Sequence, residues 1–418
     1  ASGTVTGSMT TTVNYYNQYY ITVSYAVVDG GTGYSAPTLT YYSTGTQATL
    51  TLSTSAQSLW ADANSWSVTN PLSGSSSSER WYTPQSTSGT ISSSTTYTFT
   101  YYNQYYVTVS YSVVDGGTGY SAPTFTYYST GNQMTLTLST GAQSLWVDAN
   151  SWSVTNPLGG STSSERWYTA QASGTISSST TYTFTYYNQY YITTDYTVVD
   201  GGSGYSAPTL SYYNLGNPAT YTETTTATSF WADANSWSIT NPLSGSSSTE
   251  RWITATSSGT ISSATTLAFN YYNQYYITYS YAVSGGGSGY SAPTLTYYSL
   301  GTQTQATMST TQASLWADAN TYSIPLTLGG SNSTQRWITA FATSSIISSA
   351  MTINPTYYYQ LYETFSYTTS PLTTIANPSV TYYYEGTQKA ITVTASPSVV
   401  NFWADYGTSW SITNPILY

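Results

Sequence analysis

The stretch SGTISSSTTYTFTYYNQYYVTVSYSVV, Ser88–Val114, decides how this chain is built. Ile91, Ser93, Thr95, Tyr97, Phe99 and Tyr101 fall on one side of it, and Ser92, Ser94, Thr96, Thr98 and Thr100 on the other. Period two with one apolar face marks a half-buried β-strand. The run continues through YYNQYY into VTVSYSVV. Such a strand is too long for one small domain, where about 5–6 residues is usual. Its first half is predicted to close one unit and its second half to open the next.

The same words recur along the chain. YYNQYY begins at Tyr15, Tyr101, Tyr186 and Tyr271, with a diverged YYYQLY at Tyr357, so the steps are 86, 85, 85 and 86 residues. LWADANSWSVTNPL, Leu59–Leu72, recurs from Leu145, Phe230, Leu315 and, diverged, Phe402. SERW at Ser78–Trp81 has copies ending at Trp167, Trp252 and Trp337. A fixed period marks a tandem array. This one is too long for a solenoid coil and suits a small sandwich. Turn signals (VVDGGTGYSAP, YSTGTQ, NPLSGSSSSE) predict roughly seven short antiparallel strands per repeat. Asp-Gly-Gly at Asp29 and Asp115 is expected to make a tight hairpin with positive φ. The predicted fold is all-β: five tandem immunoglobulin-like β-sandwich domains in an elongated rod. Residues 1–14 are a leading strand. Residues 15–100, 101–185, 186–270 and 271–356 are complete repeats, and 357–418 an incomplete fifth.

Composition agrees with β-structure. Only 5% of residues are charged, while 49 Tyr, 13 Trp and 8 Phe supply much of the apolar material. Aromatic and β-branched side chains pack well on a pleated surface. Five Lys plus Arg in 418 residues cannot make the basic face that nucleic acid needs. No apolar run reaches 18 residues, so no membrane span is expected. The start at Ala1 is read as that of a mature, processed, extracellular chain. Few groups titrate, which predicts stability that changes little with pH.

The two ends complement each other. Ser2–Asn14 is equivalent to Ser88–Thr100, and Val5, Gly7, Met9, Thr11, Val13 and the following Tyr15 fall on its core-type face. At the other end Tyr418 aligns with Gly74, so the fifth copy carries no equivalent of Ser75–Thr100. The expectation is strand donation, which satisfies a bare sheet edge and an apolar groove together. Val5, Met9, Thr11 and Val13 are the expected inserted side chains. Val380, Ile391, Val393, Trp403, Trp410 and Ile412 form the expected acceptor. Donor and acceptor at opposite ends give a head-to-tail, non-closing homopolymer of identical subunits. Neither end supplies Ser75–Thr87, so Ile416–Tyr418 or a neighbour's first domain is expected to cover that edge. Plainer readings stay open: an ordinary strand of the first unit at the start, and a truncated or five-stranded unit at the end.

No catalytic constellation emerges, and no cofactor or metal is expected. The chain has no His and no Cys, and Lys389 is its single lysine. That removes the commonest general base and metal ligand. DAN at Asp62–Asn64 lacks the glycine and bidentate glutamate of a calcium loop. Asp62 with Glu79 would make a poor glycosidase pair, repeated in tandem and losing its glutamate at Gln335. Asp29, Asp115 and Asp200 look like turn formers, with Ser284 in the fourth copy. The arginines are Arg80, Arg166, Arg251 and Arg336, one per complete repeat. Each is expected to form an ion pair with the aspartate of its own repeat: Asp62, Asp148, Asp233 and Asp318. Asp405 has no such arginine. Trp60, Trp66 and Trp81 suit either sugar binding or the core, and the shortage of aliphatics favours core. Asn332 heads a glycosylation sequon, Asn332-Ser333-Thr334.

YYNQYYITVSY, SGTISSSTTYTF and the shortened end resemble tandem sandwich repeats of archaeal cell-surface proteins. The end logic is similar to that of archaeal thread filaments and chaperone–usher pili. The resemblance implies an extracellular filament subunit for adhesion or cell–cell contact. The excess of tyrosine suits either lateral bundling contacts between rods or a hydroxyl-tipped solvent face. The alternative is a monomeric adhesin or surface-layer stalk that binds glycans through exposed Trp and Tyr.

Overall fold

The computed structural model describes residues 2–370 and 376–413. The expectation for Ile416–Tyr418 lies outside them. The first repeat holds β1 (Gln18–Val28), β2 (Thr38–Ser43), β3 (Thr46–Thr51), β4 (Gln57–Asp62), β5 (Ser65–Val68), β6 (Glu79–Tyr82) and β7 (Ser88–Thr90). It is closed by the start of β8 (Thr96–Val114). One sheet contains β4, β1 and β8, with β6 also on β8; the other runs β3-β2-β5-β7. Between them Ile21, Val23, Leu39, Trp66, Trp81 and Phe99 form the core. Three further clusters repeat this pattern, and Val380, Val393 and Phe402 make a smaller fifth. The chain is all-β, a series of immunoglobulin-like sandwiches.

β8 uses both of its edges in sequence. Thr96–Tyr102 pairs in parallel with Thr22–Val28 of β1. Tyr102–Tyr105 takes β6 on the opposite edge. Gln104–Val109 then pairs with Gln143–Asp148, and Thr108–Val114 with Thr181–Tyr187, again in parallel. Successive long strands are therefore neighbours, and each parallel contact begins twelve residues beyond the last (Thr96, then Thr108). That stagger advances the chain by about 40 Å per repeat at ~3.3 Å per residue. A single twelve-stranded sheet results, spanning the first four repeats. Alternation in the sequence specifies faces, not partners, so this shared sheet was not legible there. At the fourth junction Pro355 separates Met351–Ile353 from Thr356–Phe365, because proline has no N–H for the ladder.

The Asp-Gly-Gly turn is not a hairpin. Asp29 does have φ 63°, but β1 and β2 lie in different sheets, and the loop crosses between them. Gly31 is needed there for close approach: a Cβ would lie 2.3 Å from Asn103 Nδ2 and 2.8 Å from Trp81 Nε1. The tight hairpin is the next one, β2–β3, which turns on Thr44 (φ 50°) and Gly45 (φ 77°).

One core position breaks the apolar rule. Glu223 stands where the other repeats have Leu52, Leu138, Met308 and Val393, and it is buried. Thr194 Oγ1 donates to its Oε1 at 2.7 Å, while Oε2 has no partner. Desolvation raises its carboxyl to about 7. An acid raised in the folded state stabilises below its unfolded value and loses that contribution as pH climbs through the folded one. Raising the pH from about 4.5 to above 7 is therefore expected to cost the third repeat roughly 3 kcal/mol. Glu223→Met should flatten the dependence and raise stability at pH 8, as denaturant melts at both pH values will show. Glu223 is thus a built-in exception to the expected pH insensitivity.

Candidate assembly site

Each junction between successive repeats is organised by the glutamine of YYNQYY. Neighbours on a strand face opposite sides, yet Asn103 and Gln104 are both buried. Here β8 passes from one sandwich into the next and has protein on both faces. Gln104 Nε2 donates to Asp148 Oδ1 at 2.9 Å. The same carboxylate accepts the N–H groups of Thr130 and Gly131, each at 2.8 Å, and so caps the hairpin turn of its own repeat. From the preceding repeat, Arg80 Nε donates to Gln104 Oε1 at 2.8 Å. The Arg80 guanidinium lies 4.3 Å from the Trp146 ring centroid and 4.4 Å from that of Tyr82. Arg166, Arg251 and Arg336 repeat this with Gln189 and Trp231, Gln274 and Trp316, and Gln360 and Trp403.

This corrects the expected ion pairs. Arg80 does not close on Asp62, nor Arg166 on Asp148, Arg251 on Asp233 or Arg336 on Asp318. Each arginine reaches forward, through a glutamine, to the aspartate of the following repeat. Asp405 accordingly receives Gln360 at 2.8 Å, and Gln360 receives Arg336. At Asp62, burial acts to raise the carboxyl, but the donors Gly45, Gln18 and Thr44 outweigh it and hold it below the usual carboxylate range. With N–H donors on both of its oxygens, Asp62 caps the hairpin turn of its repeat. The missed signal was the glutamine itself, an amide kept in all five copies inside an aromatic run.

The leading segment and the fifth unit depart from the internal pattern in matching ways. Residues 2–17 belong to no strand. Val5 is 78% exposed, although its equivalents Ile91, Ile176, Ile261 and Ile347 are at most 1% exposed. Tyr15 is 93% exposed, although Tyr101, Tyr186, Tyr271 and Tyr357 are fully buried. Those four hydroxyls donate to the carbonyls of Thr69, Thr155, Thr240 and Pro325. Val13, also exposed, corresponds to buried Phe99, Phe184 and Phe269. Met9 corresponds to exposed Thr95, Thr180 and Thr265, and to Met351, which packs on the fourth core. Thr11 corresponds to the half-buried Tyr97 and Tyr182.

In the fifth unit Trp410 is 59% exposed, whereas Trp66, Trp152, Trp237 and Tyr322 are buried. Internally Trp152 packs on Tyr182 and Phe184 of the closing strand, with centroids 5.3 and 5.2 Å away. Trp410 instead borders a cleft of about 270 Å³ with Phe365, Tyr382 and Phe402. Ile412 is exposed beside it, while its equivalents Val68, Val154, Ile239 and Ile324 are buried. Val380 and Val393 are buried below, and Ile391 is half-buried against them. Trp403 is not part of this cleft: adjacent to core Phe402, it points the other way, under Arg336.

No protein-family model matches the chain. No curated protein matches it in sequence either. Among solved structures it is similar to the Bacillus anthracis TIE protein at 9% identity, covering 82% of this chain and 75% of that one, with TM-score 0.22. A streptococcal ancillary pilin matches at 6% identity, over 61% of this chain and 99% of its own, with TM-score 0.23. The pilus adhesin SpaC from Lactobacillus rhamnosus GG matches at 14%, over 82% and 44%, with TM-score 0.16. Likenesses this distant bear neither on the fold nor on the function of this chain.

The remaining sequence candidates divide between core and surface. Trp66 and Trp81 are core, and Trp81 Nε1 donates to the Gly30 carbonyl. Trp60 is exposed, with the Tyr20 ring tilted against it at 5.1 Å. Asp29 reaches into the next repeat, where Asn150 donates to it at 3.3 Å. Asn332 is exposed, and its Oδ1 accepts from Thr334 and Gln335 in a tight turn.

Proposed function

We propose that the chain is the structural subunit of an extracellular filament, joined head-to-tail by its leading strand. The reversed exposure of Tyr15 and Trp410, against four buried copies of each position, carries this reading. The internal register transfers directly. Thr108 opposite Thr181 becomes Thr364 opposite Thr10 of the next subunit, and Trp152 over Gly174 becomes Trp410 over Gly3. Val5 and Val13 enter the cleft with Thr11 and Met9 beside them, and the Tyr15 hydroxyl reaches the Thr413 carbonyl. Adhesion or cell–cell contact is the role such a surface filament serves. The catalytic alternative has no support in the chemistry of the chain.

The register gives a sharp test. Ser24–Thr98 and Ser110–Thr183 place their hydroxyl oxygens 3.2 and 3.3 Å apart across the parallel pair. Their counterparts at the joint are Ser366 and Thr12. A chain with Thr12→Cys and Ser366→Cys, and no other cysteine, is expected to oxidise into a covalent ladder on a non-reducing gel. Thr12→Cys with Ser411→Cys should stay monomeric, because disulfides tolerate only about 4.4–6.8 Å between Cα atoms. Equal cross-linking of both pairs would sink the register.

A further inference from the structure

The chain contains five copies of a seat for arginine and fills four of them from within. Gln104, Gln189, Gln274 and Gln360 each hold an arginine on the amide oxygen, above a tryptophan face. The guanidinium carbons lie 4.3–4.4 Å from the four indole centroids. The fifth seat is in the first unit, on Gln18 and Trp60. It is set in the same way. Gln18 Nε2 donates to Asp62 Oδ1 at 2.9 Å, which turns Oε1 outward as in Gln104. Tyr20 braces Trp60 at 5.1 Å, as Tyr106 braces Trp146 at 5.2 Å. All four arginines of the chain are already engaged. Trp60 is 58% exposed, while the tryptophans under arginine are half-buried.

The backbone beside the seat matches. Internally β6 adds to Tyr102–Tyr105 antiparallel, with Arg80 opposite Gln104 and Trp81 opposite Asn103. The equivalent edge of the first unit is Tyr16–Tyr19, which takes no strand among the described residues; β8 joins β1 only from Thr22. We propose that this edge is a docking site for an arginine-bearing β-strand of a second polypeptide. The incoming strand pairs antiparallel with Tyr16–Tyr19, its arginine on Gln18 and over Trp60. Its recognition combines strand addition, a hydrogen bond from a charged donor and a cation–π contact. The incoming cation also faces Asp62, buried and held below the usual carboxylate range behind Gln18. The site is separate from strand donation, which uses residues 2–15 and the fifth unit.

The probe is a synthetic peptide of sequence SSSSERWYTPQ, the chain's own Ser75–Gln85, added to the full protein labelled with 5-fluorotryptophan. The Trp60 fluorine resonance is identified by its loss in Trp60→Phe. The peptide is expected to shift that resonance saturably. A peptide with citrulline for arginine, which keeps shape and loses charge, should need at least about tenfold more. That comparison requires no change in the protein. Gln18→Leu should weaken the arginine peptide to the citrulline level. Equal binding of the two peptides, or no shift of Trp60 up to about 5 mM peptide, an affinity limit near −3 kcal/mol, would overturn the proposal. Loss of this binding leaves the cysteine ladder unaffected, so the two proposals fail independently.

Discussion

Val13→Asp is expected to weaken association between subunits by 10²–10³-fold. Val13 stands where Phe99, Phe184 and Phe269 pack on Trp66, Trp152 and Trp237 in the first three cores. Burial of the valine contributes about 1.5–3 kcal/mol, and an unpaired carboxylate in its place adds a further desolvation cost. Together about 3–4 kcal/mol is lost, which is two to three decades in the dissociation constant. Tyr15→Ala should act as strongly, since removing a buried aromatic costs about 3–5 kcal/mol and the hydroxyl loses its carbonyl acceptor. Thr12→Asp is the control. Its equivalents Thr98 and Thr183 face solvent, so it should alter association by less than about threefold, within the ±0.5 kcal/mol typical of surface changes. Sedimentation velocity over a concentration series distinguishes these outcomes. A strong effect of Thr12→Asp together with a weak one of Val13→Asp would place the other face of the strand inward.

The second large effect is expected inside the chain. Asp148 is fully buried and accepts from Thr130, Gly131 and Gln104. Asp148→Ala leaves two backbone N–H groups and one N–H of the Gln104 amide without an acceptor, and it leaves the glutamine that orients Arg80 held only by Ser129 Oγ at 3.2 Å. Each unsatisfied buried donor costs about 1–3 kcal/mol, and part of that is relieved by water entering the gap. The net loss should be roughly 3–5 kcal/mol, the scale for breaking a buried charged network. It should appear as faster amide exchange at Thr130 and Gly131 and in the adjoining half of β8, while the fourth repeat is unchanged. Uniform destabilisation along the chain would show that the junctions transmit what the residues suggest they contain locally. Unchanged exchange at Thr130 and Gly131 would show that the carboxylate is not their acceptor.

The sequence carried most of the fold because the repeats amplify weak signals. Ile91, Tyr97, Phe99 and Tyr101 alternate with serine and threonine, and β8 and the core beneath it follow. Partners were harder to read than faces. Nothing in the alternation says that β1 and β8 lie side by side in parallel, because both edges of a strand carry the same backbone groups. Arg80 was assigned to Asp62 for the same reason: both occur once per repeat, and a period of 85 or 86 residues cannot distinguish a contact within a repeat from one with the next. The acidic core position in the third repeat was lost by treating the repeats as identical; Glu223 is visible once it is set beside Leu52, Leu138 and Met308. At the ends, Tyr15 lies on the same face as Val5 and Val13, just past the predicted boundary at residue 14, and its four equivalents each complete the core of the preceding unit.

Electron microscopy of the full chain beside a version without residues 1–16 tests the central claim most directly. Filaments from the full chain, only single particles from the shortened one, and termination of growing filaments by a free peptide of residues 2–16 are the predicted results. Filaments of the same length and form from both chains would contradict it, and would move the joint from the leading strand to lateral contacts between the tyrosine-rich faces.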